Sequence, residues 1–401
     1  MTPKLKVFAN RNFRFYWFGL LVSMIGTFVQ VTAQSWLVYE LTRSPLKLGL
    51  VSTAQAAPFL ALSLLGGDTA DRLNKRNILF FTQTVMMILA FTLGILALTG
   101  SVKVWHIALI AVGMGTANSF DIPTRQAFIY DIVGREEIMS AVSLNSSLVN
   151  LAQIAGPAIA GFMVSTVGNA WCFIFNGASF LAFIIALKNM VIQPKPRAGM
   201  EGSAFKSIIE GLRYAWTNQV LKTVILLVIL STIFIMPYGV LMPVFAGEIL
   251  KVGSRGFGLL MTCTGLGALS GGLMLGSAGN VKHKGRLFFT GAFIFSIAIL
   301  LFSFSRIFPL SCALLVAGGF FSMIQSSTSN TIIQVTVSDE MRGRVMGIFS
   351  LAFMGLSPLG SLQAGMVAQF FGAPFAVALG AAIFGLSVFF MFRHTSHLRE
   401  I

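Results

Sequence analysis

The sequence predicts an all-α membrane protein in which twelve transmembrane helices form two pseudo-symmetric six-helix bundles. Three observations support this fold class: the composition, the length and number of the apolar runs, and a repeat of the first half in the second. Of the 401 residues, 56% are hydrophobic and only 10% are charged, whereas soluble proteins carry about 25% charged residues. The composition therefore excludes a soluble protein.

A helix needs about 20 mostly apolar residues to cross a bilayer, and a window of that length finds twelve such runs, numbered here spans 1 to 12. Their expected bounds are 15–38, 46–66, 77–99, 103–121, 138–166, 169–189, 220–246, 256–278, 286–305, 308–333, 344–371 and 373–393. The connections are short except near the middle of the chain. The predicted domains are therefore a first bundle at 1–192, a cytoplasmic linker at 193–219 and a second bundle at 220–401.

Basic residues alternate between the two sides of this arrangement. One set of loops holds 22 of the 28 Lys and Arg residues, and the other holds Arg43, Lys47, Lys103, Lys251, Arg255 and Arg306. Positive residues favour the cytoplasmic side, so both termini are expected there. The net charge of +15 does not indicate nucleic-acid binding, because the positive residues are scattered over many short loops.

The linker has two parts. Residues 193–202 are rich in Pro and Gly and are expected to be irregular. The segment that follows has one apolar helical face, formed by Phe205, Ile208, Ile209, Leu212 and Trp216. This pattern indicates an amphipathic helix at the cytoplasmic membrane interface; a polar extension of span 7 is the alternative.

The two halves resemble each other weakly in three windows that occur in the same order. These windows are 39–51 with 247–260, 126–142 with 329–345, and 147–161 with 348–361. Two six-helix halves joined by a linker are typical of a rocking transporter, whose substrate site lies between the halves near the bilayer midplane.

The segment 66–77, GGDTADRLNKRN, lies at the turn between spans 2 and 3. Its Gly pair lets two helix ends approach closely, and Asp71 stands among Arg72, Lys75 and Arg76. An ordinary cytoplasmic hairpin would explain the basic residues but not an acid placed beside a Gly pair. We therefore expect a gate at this face of the membrane.

GGDTADRLNKR resembles the signature between spans 2 and 3 of the major facilitator superfamily, with Asn74 where a Gly is usual and Asp68 where an apolar residue is common. The run FDIPTRQAFIYDIV at 120–133, followed by AVSLNSSLVNLAQIAGPAIAG at 141–161, resembles the branch that contains enterobactin exporters, macrolide efflux proteins and related drug exporters. The resemblance covers essentially the whole chain. It implies the major facilitator fold and a bacterial inner (cytoplasmic) membrane.

The resemblance also implies roles for the gate residues. In the family, the acid at the position of Asp71 faces the start of span 11 when the cytoplasmic side is closed, and a helix N-terminus carries roughly half a positive charge. A basic residue of the loop pairs with an acid at the end of span 4, and Lys75 and Asp121 match those positions; a turn role before Pro123 is the alternative for Asp121. The implied gate set is Gly67, Asp71, Arg72, Lys75, Arg76, Asp121, Arg342 and Arg344.

Gly156, Pro157 and Gly161 resemble a span 5 signature that occurs mainly in antiporters. Proline kinks a helix and glycine permits close helix approach, but membrane helices tolerate both residues widely. Export as the direction of transport therefore rests on the resemblance.

Polar side chains within the apolar runs are costly when they face lipid, so they are expected to face the bundle interior or a wet cavity. For any single residue, a hydrogen bond between helices is as plausible as contact with substrate. Gln30 and Gln34 are the strongest candidates. The whole cavity set is Gln30, Gln34, Gln55, Asn118, Asn145, Gln153, Met236, Tyr238, Gln325 and Asn330.

All thirteen acids are expected near span ends or in loops, and span 4 is expected to lack the intramembrane Arg of many proton-coupled relatives. Both points weaken the proton coupling that the resemblance implies, and Glu40, Asp121 and Asp131 remain as proton candidates. Cys172, Cys263 and Cys312 show no pairing or metal spacing, so no metal site is expected. Without a nucleotide loop or a nucleophile elbow, the chain is not expected to be an enzyme.

The leading interpretation is a secondary-active transporter that exports lipophilic drugs or a siderophore-like molecule by alternating access as a proton antiporter. A lipid or lysolipid transporter or flippase on the same fold is the alternative, because Phe and Met are abundant and moving a lipid needs no mid-membrane acid. A non-transporting sensor is a third class, disfavoured because no output domain is evident. The expected partners are the bilayer and a small-molecule or lipid substrate, with no cofactor and no nucleic acid, and the chain is expected to act as a monomer.

Overall fold

The computed structural model describes residues 7–191, 204–279 and 283–395, and nearly all of this part of the chain is helical. A short turn at Val7–Ala9 precedes span 1, and a separate helix, Ala204–Thr217, lies in the linker. The membrane helices are Arg11–Thr42, Pro45–Arg72, Lys75–Leu98, Val104–Thr166, Asn169–Asn189, Gln219–Ile249, Gly253–Ser277, Lys284–Phe304, Phe308–Thr336, Asp339–Phe371 and Ala373–His394.

These helices provide twelve spans within the described residues. Ten are long and apolar enough to cross a bilayer, and Pro45–Arg72, which bends by 54°, makes an eleventh. Val104–Thr166 has 63 residues, about 95 Å of helix, which is three times the hydrocarbon thickness of about 30 Å. Gly134 breaks it with φ 73° and ψ −171°, so span 4 is 104–133 and span 5 is 135–166.

The predicted end of span 4 at residue 121 was wrong. The helix continues for twelve further residues, past Pro123, and Asp121 is fully buried inside it. The expectation that every acid lies near a span end is therefore also wrong for Asp121. The break between spans 10 and 11 falls at Val337 and Ser338. The repeat that pairs 126–142 with 329–345 also pairs Gly134 with Val337, so the two halves break their helices at equivalent positions.

The predicted loop 66–77 is mostly helix. Span 2 runs to Arg72 and span 3 starts at Lys75, which leaves Leu73 and Asn74 outside the two helices. Asn74 caps span 3, because its side-chain oxygen accepts hydrogen bonds from the backbone N–H of Arg76 at 3.0 Å and of Asn77 at 3.4 Å. A capping Asn satisfies N–H groups that have no partner within the helix, which gives Asn74 a structural role where the family usually has Gly.

The structure divides into two compact units. The first comprises residues 1–42 and 54–200, and the second comprises 43–53 and 201–401. In the first unit, a core of buried aromatic and aliphatic side chains joins the ends of spans 1, 4 and 6; it includes Tyr16, Phe128 and Phe183. Glycines set the helix spacing there, since a Cβ on Gly156 would lie 2.4 Å from the Cβ of Phe28.

In the second unit, spans 8 and 10 pack with their backbones close together. A Cβ on Gly267 would lie 2.0 Å from the carbonyl oxygen of Val316, and a Cβ on Gly319 would lie 2.1 Å from that of Thr264. The same packing brings Cys263 and Cys312, which are both free cysteines, close to each other, a proximity that their sequence spacing did not indicate.

Spans 7 and 11 depart from regular α-helix. Three single π-helical turns occur within the described residues, at Ser231–Ile235 and Phe245–Ile249 in span 7 and at Leu351–Gly355 in span 11. Such turns are frequent at functional sites. The turn in span 11 ends just before Pro358.

The linker helix is separate from span 7, because the helix stops at Thr217 and Asn218 caps the start of span 7. This excludes the alternative of a polar extension. Ile209, Leu212 and Trp216 are exposed on one side, as expected for a helix at the membrane interface; the side chains of Phe205 and Ile208 and the irregular segment 193–202 lie outside what the structure describes. A buried Gly211 instead faces Arg344 and Ile348 of span 11, with a Cβ position 3.0 Å from each.

Candidate functional site

A buried polar network surrounds Asp121 in the first unit. One carboxylate oxygen of Asp121 accepts hydrogen bonds from the hydroxyl of Thr82 at 2.8 Å and the amide of Gln83 at 2.9 Å. The hydroxyl of Ser23 donates to the amide oxygen of Gln83 at 3.4 Å. These side chains connect spans 1, 3 and 4 through groups that are all nearly inaccessible.

The second carboxylate oxygen of Asp121 lies 2.6 Å from Nε of Arg125, one helical turn further along span 4. The Arg125 side chain is only 13% exposed, and its N–H is not aligned with the oxygen, so charge rather than a directed hydrogen bond holds the pair. The Tyr16 hydroxyl donates to the Arg125 carbonyl at 3.5 Å. Span 4 therefore carries a largely buried Arg at a position that the sequence prediction placed beyond the end of this span.

The expected partner of Lys75 was also wrong. Its ammonium group lies 2.8 Å from the carboxylate of Asp131, in a pair whose side chains are 8% and 16% exposed, respectively. Asp121 is instead neutralised by Arg125. The reason is geometric: Lys75 begins span 3 and Asp131 lies near the end of span 4, whereas Asp121 lies ten residues deeper in span 4.

The other residues near 66–77 differ in their surroundings. Arg72 pairs with Asp68 on the surface at 2.8 Å, and Arg76 donates to the carbonyl of Lys188 at 2.9 Å. Asp71 is exposed, and within the described residues its carboxylate has no ion-pair or hydrogen-bond partner.

The close helix approach predicted for this segment occurs at Gly66. A Cβ there would lie 1.9 Å from the carbonyl oxygen of Ser119 on span 4. A Cβ on Gly67 would meet nothing within 4 Å. Gly67, the glycine in the predicted gate set, therefore makes no close packing contact in this structure.

At the start of span 11, both predicted gate arginines have other partners. Arg342 pairs with Asp339 at 2.6 Å, and Arg344 pairs with Glu210 of the linker helix at 2.6 Å. Asp339 and Glu340 lie in the first turn of span 11, where acids stabilise a helix N-terminus. Glu210 was not among the residues predicted for the gate.

The cavity candidates of the first unit differ in their partners. Gln30 is 4% exposed and accepts a hydrogen bond from Asn176 of span 6 at 2.7 Å, so it joins two helices in this structure. Gln34 is equally buried. Asn145 has a buried side-chain oxygen without a hydrogen-bond partner in the described part of the chain. The others, Gln55, Asn118 and Gln153, range from half-buried to exposed.

In the second unit, Gln325 is 3% exposed and its side-chain oxygen has no partner among the described residues. Asn330 accepts a hydrogen bond from Gln334 on the same helix at 2.5 Å. Tyr238 is buried beside Thr264, and Met236 is half-buried.

The antiporter-like residues of span 5 lie in continuous helix. Gly156, Pro157 and Gly161 are all buried, and the helix passes through Pro157 without a second break. Gly156 allows span 1 to pack against span 5, as its contact with Phe28 shows.

Glu40, a proton candidate, lies at the far end of span 1. Its carboxylate accepts hydrogen bonds from the indole of Trp36 at 2.6 Å and the amide of Asn169 at 2.7 Å. These contacts join the end of span 1 to the start of span 6. Within the described residues, no three His, Cys, Asp or Glu side chains come together as metal ligands would.

Residues 43–53, which include the start of span 2, belong to the second unit and pack against span 11. Ser52 and Ser361 lie 3.1 Å apart at their hydroxyl oxygens, and Thr53 donates to the carbonyl of Pro358 at 2.9 Å. A Cβ on Gly49 would lie 2.5 Å from the carbonyl oxygen of Ser361. This small-residue contact was not anticipated, although the Gly and Ser spacing in both segments is a signal of close helix packing.

The fold is that of the major facilitator transporters. A bacterial homologue of the human lysosomal transporter Spinster, in an inward-facing and unoccupied conformation, superposes with a TM-score of 0.70 at 15% identity and covers 99% of this chain and 96% of its own. A POT family transporter gives a TM-score of 0.75 at 10% identity, with 97% of each chain covered. A D-xylose–proton symporter gives 0.71 at 14% identity, covering 96% and 99%.

The chain belongs to the MFS_3 family of transmembrane secretion effectors, whose model matches residues 2–401. The multidrug efflux pump Tap of Mycolicibacterium fortuitum is 26% identical, with 96% of this chain and 95% of Tap covered. The staphyloferrin A transporter of Staphylococcus aureus is 26% identical over 90% of both chains. The enterobactin exporter EntS of Escherichia coli K12 is 23% identical over 97% and 93%.

These findings confirm the predicted exporter branch and the all-α fold. The protein is a multi-pass membrane transporter, and it is not an enzyme. The specific roles predicted for the gate, cavity and proton residues remain proposals.

Proposed function

We propose that this protein exports a lipophilic drug or a siderophore-like small molecule across the bacterial inner membrane by alternating access, as a proton antiporter. The observation that carries the proposal is the full-length family match, together with relatives named as drug and siderophore transporters. Both termini are proposed to lie in the cytoplasm, in accord with the distribution of Lys and Arg.

Asp121 is the proposed proton site. It is fully buried and paired with Arg125, and a buried charge is tolerated only when it is paired and hydrogen-bonded. Protonation of Asp121 would end the charge pairing and weaken the bonds to Thr82 and Gln83. Because those bonds connect spans 3 and 4, one proton can change the packing of the first unit. Asp131 and Glu40 are weaker candidates, since each already has a structural role.

Asp71 is the proposed cytoplasmic latch. Its carboxylate is exposed and without a partner in the described residues, so it is available to pair in another state of the transport cycle. The acids Asp339 and Glu340 already offset the helix dipole of span 11. We therefore assign the attraction for Asp71 to Arg342 and Arg344, which would have to leave Asp339 and Glu210.

Substrate contact is proposed for the polar candidates that lack a protein partner. The buried oxygens of Asn145 and Gln325 are unpaired among the described residues, and an unpaired buried oxygen is costly. A hydrogen-bond donor on the substrate would remove that cost. Met236 and Tyr238 offer adaptable and aromatic surface, which suits irregular, partly apolar molecules.

The test is substrate-dependent proton movement in inverted membrane vesicles that contain the protein. A pH-sensitive dye reports the proton gradient while a panel of dyes, macrolides and siderophores is added in turn. The proposal expects at least one compound to release protons from wild-type vesicles. The D121N variant should lose this release, while E136Q, which changes an exposed acid outside the proposed machinery, should keep it.

Two results would contradict the proposal. One is proton release in D121N that equals the wild-type release. The other is the absence of any active compound together with movement of fluorescent phospholipid across proteoliposomes, which would favour the lipid-transporter alternative.

A further inference from the structure

An apolar groove runs along the first unit between spans 1 and 6. Its volume is about 600 Å³. Gly19 and Ala186 form its floor, where a Cβ on Gly19 would lie 2.7 Å from that of Ala186. Its walls include Phe18, Val22 and Ile185, which are 57%, 41% and 51% exposed. Exposed apolar walls on a membrane protein are surfaces that acyl chains can cover.

One end of the groove is cationic. Arg11, Arg14 and Asn189 line that end, and no acidic side chain lines any part of it. Within the described residues, neither arginine has a carboxylate partner, in contrast to Arg72, Arg125, Arg342 and Arg344, which are all paired. The guanidinium of Arg11 lies 5.5 Å from the ring centroid of Phe15, which directs it along the groove wall.

The groove has the length of one bilayer leaflet. Arg11, Phe15, Phe18 and Val22 follow one face of span 1 at helical spacing. The distance from Arg11 to Val22 along the helix axis is about 16 Å. Half of the hydrocarbon core of a bilayer is about 15 Å. The whole groove, from Arg11 to Val22, is therefore about as long as one leaflet is thick, which would place the arginines at the level of the headgroups and Val22 near the bilayer centre.

The cationic end is held in place by the protein itself. The side chain of Asn12 donates to the carbonyl of Val191 at 2.9 Å and accepts from its N–H at 3.1 Å. This reciprocal pair ties the start of span 1 to the end of span 6. Arg11 and Asn189 are therefore positioned on adjacent, fixed backbones, which lowers the entropy lost when a ligand binds.

We propose that this groove is a binding site for one anionic diacyl phospholipid of the leaflet that faces Arg11. Its phosphate is bound by Arg11 and Arg14, and an acyl chain lies over Gly19 and Ala186 between the walls formed by Phe18 and Ile185. Basic pockets between membrane helices bind anionic headgroups in this manner. The lipid is a bound ligand and not the transported molecule, so the site is independent of the proposed export function.

The experiment is native mass spectrometry of the full-length protein in detergent, titrated with phosphatidylglycerol or with phosphatidylcholine of the same acyl chains. Wild type is expected to retain one phosphatidylglycerol at concentrations where phosphatidylcholine dissociates. R11Q/R14Q should bind phosphatidylglycerol about 30-fold more weakly, because each basic side chain near an anionic surface contributes close to a factor of five. Its phosphatidylcholine binding should not change.

Two further variants test whether binding depends on this groove: one removes positive charge elsewhere, and the other fills the apolar end of the groove. R135Q/R213Q removes two exposed positive charges elsewhere and should bind phosphatidylglycerol as wild type does. V22W fills the apolar end of the groove while keeping both arginines, and should weaken the binding of both lipids. Equal affinity of wild type for the two lipids, or an equal loss in R135Q/R213Q and R11Q/R14Q, would overturn the proposal.

Discussion

The buried pair of Asp121 and Arg125 provides the sharpest energetic prediction. Asp121 is inaccessible and Arg125 is 13% exposed, so solvent screens their attraction only weakly. For unit charges about 4 Å apart at an effective dielectric constant near 20, this attraction is about 4 kcal/mol. Removing one member of such a pair costs about 3–5 kcal/mol, because the remaining charge stays buried without compensation.

The perturbation is D121N, which keeps a carbonyl oxygen to accept from Thr82 and Gln83 but removes the negative charge. We expect a loss of about 3 kcal/mol in the free energy of unfolding, toward the lower end of that range, because two hydrogen bonds remain. R125M should lower the free energy of unfolding by a similar amount, because it leaves the Asp121 charge buried and unpaired. The double variant D121N/R125M should lose much less than the sum, since it leaves no unpaired charge.

The assay is reversible unfolding of the purified protein in mixed micelles of mild detergent and dodecyl sulfate, followed by tryptophan fluorescence and analysed as a double-mutant cycle. The pair formed by Lys75 and Asp131 is the comparison, because its contact distance of 2.8 Å is similar to the 2.6 Å between Asp121 and Arg125 but it lies nearer a helix end. A coupling energy near zero for Asp121 and Arg125 would refute the assignment of a buried ion pair. So would a double variant less stable than both single variants.

Three further predictions concern the gate and the helix contacts. D71N should insert normally and transport about fivefold more slowly in an efflux assay, since it removes an ion pair with Arg342 or Arg344 of about 1 kcal/mol, the upper end for exposed pairs, and no packing contact; transport at the wild-type rate would exclude Asp71 from the gate. S52C/S361C, in a background without native cysteines, should form a disulfide on mild oxidation, because the two hydroxyl oxygens lie 3.1 Å apart; two thiols that both stay reduced, as shown by thiol labelling, would contradict this contact. G66A should destabilise the protein, because its Cβ would lie 1.9 Å from a backbone oxygen, whereas G67A, with nothing within 4 Å, should not; equal melting temperatures for the two variants would contradict this packing.

Much of the fold could be predicted from the sequence because a bilayer imposes simple rules. Spans must be long and apolar, so ten of the twelve spans were located within a few residues at both ends. The two exceptions are spans 2 and 4, whose predicted ends fell short. Span 2 continues to Arg72 and span 4 to residue 133. Both extensions carry charged residues, and for that reason they were predicted to be loops.

The physical reason is that local polarity does not distinguish a loop from a helix whose charges are neutralised by neighbours. Asp121 is compensated by Arg125 on its own helix and by two residues of span 3, and Asp131 is compensated by Lys75. These partners lie about 40 to 60 residues apart in the sequence, except for the spacing of four between Asp121 and Arg125. That spacing is visible in the sequence, but the predicted span 4 ended at residue 121, before Arg125.

In the candidate site, too, some features follow from the sequence and others depend on the tertiary structure. The sequence by itself determined the class of protein, the twelve spans and the segments in which charged and polar residues matter, because each of these follows from composition, periodicity and motif. Only the tertiary structure decided which charges pair: Lys75 with Asp131, Asp121 with Arg125, and Arg344 with Glu210. Pairing depends on distances between helices, and those distances are set by packing at residues such as Gly66 and Gly156 whose contacts lie far away in the chain.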